Sequence, residues 1–148
     1  MTAQDPDKLL NECPTLDVEG LYLFGIIRGD IDTNHGWGEP YVFESTPKAK
    51  DEQYWCSSLW RGHVASYRIE ANGRVTLLRY DYPYHYHLPE EERTEDLSEE
   101  LSGDFWLVFK DCFFGPRVYL PACDGRVVAD RSRWRREPDE GHNCFGDI

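Results

Sequence analysis

Positive charge is in short supply in this chain. Sixteen lysines and arginines face 28 aspartates and glutamates, leaving a formal net charge of −12 over 148 residues. That balance repels phosphate backbones and anionic lipid surfaces, so neither direct nucleic-acid binding nor a membrane partner is expected. Long apolar runs are missing too, and none reaches the roughly 20 residues that a membrane-spanning helix needs. The opening MTAQDPDKLLNECPTLD has neither the basic nor the apolar region of a secretory signal, which leads to the expectation of a soluble, cytoplasmic protein.

Cysteine is sparse and unpatterned. Cys13, Cys56, Cys112, Cys123 and Cys144 include no CxxC pair or other close metal-ligand spacing. Reduced thiols are therefore expected, with Cys56 and Cys112 as small core residues. The chain also lacks a GxSxG elbow, a phosphate-cradling GxxxxGKS or GxxxxGKT, a GxGxxG and an HExxH. The expectation is of no cofactor, no metal and no catalytic residue, with an enzyme the less favoured class.

What the chain has in quantity is aromatic and β-branched side chains. Aromatic residues are 14% of the total and hydrophobic ones 40%, too rich for a disordered segment, and the length suits one domain with a real core. Residues 1–17 read as a polar, mobile lead-in with a short turn of helix near residues 8–12. Residues 18–136 read as a single β-rich domain and residues 137–148 as a C-terminal tail.

The segment around which this domain is organised runs over residues 54–82. Asn72-Gly73 suits a two-residue type I′ turn, because both central positions need positive φ. That turn makes Ile69 face Thr76, Tyr67 face Leu78, Ala65 face Tyr80 and His63 face Tyr82, giving one apolar face and one carrying Arg68, Glu70, Arg79 and Asp81. Asp124-Gly125 signals a second hairpin, with Val118, Leu120, Ala122, Val127 and Ala129 on one face. Pro121 places that hairpin at a sheet edge.

Two runs, residues 19–28 and 104–110, are apolar on both parities and read as strands buried on both faces, with Gly25 marking a bulge or a close approach. Residues 29–40 form a Gly-rich loop, and residues 41–43 and 54–60 are further strands. Pro89, seven acidic residues over 90–100 and the spacing of Leu97 and Leu101 predict a short acidic helix over 89–101. The fold class expected is mainly β, α+β at most: an antiparallel sheet curled into a sandwich or partly open barrel, with that one helix.

Two functional readings follow. The leading one is a small acidic protein-binding module, immunity-like or inhibitory, that neutralises a basic protein partner. Asp30, Asp32, Glu39, Glu90, Glu91 and Glu92 would supply the steering charge, with Trp37 and Trp134 as aromatic anchors. Trp55 and Trp106 are assigned to the core. The alternative is a small-ligand binder or enzyme whose pocket gathers His35, Arg61, His63, His85 and His87 at a sheet or barrel mouth. An imidazole beside an apolar face needs no metal, and a solvated Gly-rich loop whose aspartates make local turns is the favoured account of the acids around His35.

Overall fold

Alternating and continuous apolar runs sort into different sheets. The computed structural model describes residues 7–28, 63–83, 89–112 and 116–136. Among these the strands are β1 (Lys8–Asn11), β2 (Tyr22–Ile27), β3 (Val64–Ile69), β4 (Val75–Asp81), β5 (Thr94–Glu100), β6 (Phe105–Lys110), β7 (Val118–Cys123), β8 (Arg126–Val127) and β9 (Arg135–Arg136). The first sheet has the order β1-β3-β4-β5; the second has β2-β6-β7, with β8 and β9 both paired to β7. All pairings are antiparallel except β1 with β3.

The sheets pack face to face as a sandwich. Tyr67, Ile69, Val75, Leu77, Tyr80 and Leu101 from one side meet Leu23, Ile26, Phe105, Leu107, Phe109 and Leu120 from the other in a single apolar cluster. The second sheet also buries its far face, through Phe24, Ile27, Val108 and Tyr119 with Trp106 packed against them. This is why residues 22–27 and 105–110 are apolar at successive positions. Trp106 is half-buried rather than enclosed, edge-on to Tyr119 with ring centroids 6.4 Å apart. The bulge expected near Gly25 is present, since the β2–β6 register shifts between Leu23 and Gly25.

The first hairpin differs from its expected register. Only Gly73 has positive φ (91°), and its N–H donates to the Glu70 carbonyl at 2.8 Å, so the loop spans three residues, Ala71 to Gly73. Ile69 therefore pairs with Val75 and Tyr67 with Leu77, while Ala65 pairs with Tyr80 as expected, the two registers being joined by a bulge at Leu78. The cause is a change of parity in β4. Val75, Leu77, Tyr80 and Tyr82 are all buried, and a strand can face all four inward only by looping one residue out. The second hairpin follows expectation: Asp124 (φ 54°) and Gly125 (φ 81°) form the turn, and Ala122 pairs with Val127.

The β7–β8 hairpin lies at the end of its sheet as expected, with Pro121 itself in β7 between β6 on one side and β8 and β9 on the other. Its carbonyl accepts from Val128 N–H at 2.9 Å on the outer side. A strand residue turns N–H and C=O the same way, so the missing donor falls between β8 and β9 and costs the β6–β7 ladder nothing. Two further expectations are corrected. Residues 8–11 are a strand rather than a turn of helix, with Leu9 packed on the core and Cys13 and Leu16 buried behind it. Cys112 is disulfide-bonded rather than reduced, its partner lying outside the described residues; Cys13 and Cys123 are free.

Two ties hold the sheets together. Buried Asp7 donates its N–H to the Leu23 carbonyl at 3.0 Å, while its Oδ1 accepts from Ala65 N–H at 3.0 Å, clamping β2 to β3. Elsewhere three turns converge through backbone hydrogen bonds: Val127 N–H to Gly73 O (2.9 Å), Gly125 N–H to Gly103 O (2.8 Å) and Val75 N–H to Gly125 O (3.0 Å). Gly125 has no room for a side chain, since a Cβ there would lie 2.4 Å from the Leu101 carbonyl oxygen.

Candidate functional site

Acidic residues dominate one margin of the first sheet. The expected helix over 89–101 is instead a three-residue 3₁₀ turn, Glu90–Glu92, followed by β5. The Leu97 and Leu101 spacing fits a helix, but four residues is also twice the strand period, so both leucines face the core in the extended form too. The TEDLSEE segment then alternates cleanly. Thr94, Asp96, Ser98 and Glu100 are exposed, and Glu95, Leu97 and Glu99 are half-buried.

Hydrogen bonds fix this strand at both ends. Tyr82 N–H donates to the Arg93 carbonyl at 2.8 Å and Leu101 N–H to the Val75 carbonyl at 3.0 Å. The buried Tyr82 hydroxyl donates to Glu95 Oε1 at 2.9 Å, and Thr94 Oγ1 meets Asp81 Oδ1 at 3.0 Å. Arg79 of β4 and Arg74 just before it approach the outer row of acids: Arg79 lies 3.7 Å from Asp96 and Arg74 lies 4.0 Å from Glu100. Both contacts are long and the carboxylates are 81% and 65% exposed, so solvent screening leaves each pair worth little, about 0–1 kcal/mol. Glu90, Glu91 and Glu92 are exposed, and none of the ion pairs among the described residues engages them.

The other sequence candidates fall in different places. Asp30, Asp32, Trp37, Glu39, His35, Arg61, His85 and His87 lie outside the described residues. Trp134 is built into the fold: it packs on the core, its indole N–H donates to the Val128 carbonyl at 3.0 Å, and the Arg131 guanidinium sits 4.8 Å over its ring. Arg131 reaches on to the Asp17 carbonyl at 2.8 Å. Asp130 caps the short turn Arg131–Arg133, accepting from Ser132 Oγ at 2.8 Å and Ser132 N–H at 3.0 Å. These bonds hold its carboxyl below the usual carboxylate value, with Arg133 adding to the effect.

His63 is enclosed at the start of β3, edge-on to Tyr80 with centroids 5.0 Å apart and an interplanar angle of 80°. That surrounding is a packed one. Among the described residues no group of three or more His, Cys, Asp or Glu side chains could hold a metal.

Asp96 and Glu100 are the residues that sequence reasoning did not single out. Their signal was the strict alternation of TEDLSEE, outweighed there by the helical leucine spacing. Buried Lys110 and Arg117 were also missed, although Lys110 closes an apolar run and stacks its Nζ 4.6 Å over the Phe24 ring. Comparison of the chain with known protein families, curated proteins and solved structures finds no match.

Proposed function

We propose that the chain is an acidic protein-binding module that docks a basic protein, in the manner of an immunity protein or inhibitor, through the margin formed by Glu90–Glu92 and β5. The observation supporting it is the grouping of charge there: seven carboxylates and one arginine over residues 90–100, most of them exposed, in a chain of net charge −12. Concentrated surface charge of one sign raises the encounter rate with an oppositely charged partner and disfavours like-charged ones. Of the histidine-pocket residues His63 is the one among the described residues, and it packs edge-on against Tyr80.

The test is kinetic. A basic protein captured with the intact chain is purified, and its association is measured at low and high salt. Replacing Glu90, Glu91 and Glu92 together by Gln is expected to slow association on the order of tenfold at low salt while changing dissociation little. An association rate indifferent both to salt and to these replacements sinks the reading.

A further inference from the structure

Resting on that reading, we infer the mode of docking: β5 accepts an extended, lysine- or arginine-rich segment of the partner as an added strand. Among the described residues β5 has β4 as its sole neighbour. The bonds from Tyr82 N–H to Arg93 O and from Leu101 N–H to Val75 O turn residues 93 and 101 toward β4. Alternate residues of an antiparallel strand turn their backbone groups to opposite sides, so Thr94, Asp96 and Glu100 direct N–H and C=O away from β4.

The same positions carry the exposed side chains. Asp96 and Glu100, 81% and 65% exposed, would stand directly across from side chains of an incoming strand on the outer face. Lysine or arginine is favoured there, and acidic residues are opposed. Leu97, half-buried at the margin of the core, gains cover from an apolar residue on the newcomer's inner face. The segment that fits therefore alternates basic and apolar residues, its main chain supplying affinity and its side chains selectivity. A second copy of β5 does not fit, since its carboxylates would face these; the acids guard the edge against self-pairing while leaving it open to a basic strand.

The experiment uses the full chain and two capped peptides of about eight residues, one strand long, alternating Lys with Val or Glu with Val. The lysine peptide is expected to bind, losing at least about tenfold in affinity between roughly 50 and 500 mM salt. It should slow amide exchange at Thr94, Asp96 and Glu100 at least about tenfold, whereas the glutamate peptide does neither. Asp96→Pro removes one outward N–H and should weaken binding more than Asp96→Asn, which removes only the charge. Should the proline variant fail to fold, the exchange pattern of the unaltered chain still decides. Binding of the lysine peptide without slowed exchange at these three amides overturns strand addition and leaves the charge-steered reading standing. No binding overturns both.

Discussion

The two sheets solve opposite problems with one shared core. The first carries charge on its outer face, where Arg68, Arg79, Asp96 and Glu100 are exposed or half-exposed although Val64, Ser66 and Thr76 beside them are buried, and turns Tyr67, Leu77 and Tyr80 inward. The second is apolar on both faces of β2 and β6, so its strands show no polar alternation. Burial on both faces makes every substitution in β6 a packing event, whereas the outer face of the first sheet is free to carry charge. The recognition proposed above accordingly falls on the sheet that carries charge, and rigidity comes from the sheet that is apolar on both sides.

Substitutions on the two sheets test this contrast most strongly. Leu107→Ala, fully buried in the shared core, should cost about 2–5 kcal/mol. Val108→Ala, fully buried on the opposite face of the same strand, should cost about 1–3 kcal/mol. Arg79→Ala on the first sheet's outer face should stay within about 0.5 kcal/mol. Urea unfolding of the three variants measures this directly. A Val108 variant as stable as the Arg79 variant would remove the claim that the second sheet is buried on both sides.

A smaller effect is expected where the sheets are tied together. Gly125→Ala places a side chain at φ 81° and 2.4 Å from the Leu101 carbonyl oxygen, so the backbone conformation alone should cost about 1–3 kcal/mol. Gly20→Ala, at φ 83° with nothing near its Cβ, carries the conformational cost without the collision. The difference between their thermal midpoints isolates the junction, and equal midpoints would mean that the turn contact is not holding the sheets.

The smallest effect concerns Tyr22, at the start of β2. Burial first, and then the neighbouring Asp111 carboxylate, hold its hydroxyl above the ordinary tyrosine value. In the unfolded chain it ionises near pH 10, and in the folded chain at higher pH. The unfolded state thus loses its proton first, and this contribution to stability, complete below pH about 10, declines as pH rises through the folded value. Tyr22→Phe should flatten that alkaline decline in a pH series of unfolding midpoints; an identical decline in both proteins would show the hydroxyl to be freely solvated.

Legibility in the sequence followed how local each determinant was. The Asp124-Gly125 turn needs only two residues of positive φ, and both adopt it. The two-sided strands and the bulge beside Gly25 are also written in short runs of side chains. The Asn72-Gly73 register holds at Ala65 and Tyr80 and differs by one residue at Tyr67 and Ile69, because the turn dipeptide does not report the parity change between Leu77 and Tyr80, which demands a bulge wherever the turn lies. Residues 94–100 read as helix from sequence because a four-residue leucine spacing serves both periods, and pairing with β4 decides between them. Glu90, Glu91 and Glu92 were legible as exposed acids, while the edge role of Asp96 and Glu100 depended on which strands become neighbours. The position of Lys8–Asn11 beside β3 rests on a pairing with residues 66–69, too distant to leave a local mark.

That distance governs time as well as architecture. Leu23 pairs with Phe109 and Lys8 with Ser66, so among the described residues the first two strands take their strand partners from distant segments. The hairpins around Gly73 and Gly125 can close early, within microseconds to tens of microseconds, but β1 and β2 must wait for segments made much later. Refolding should therefore be governed by loop closure rather than by turn formation, in the millisecond-to-second range of β proteins rich in distant contacts. Until β6 arrives, the apolar faces of β2 stand uncovered, and it is in this interval, rather than in the finished sandwich, that the chain's excess of negative charge has its earliest use, keeping partly folded copies apart.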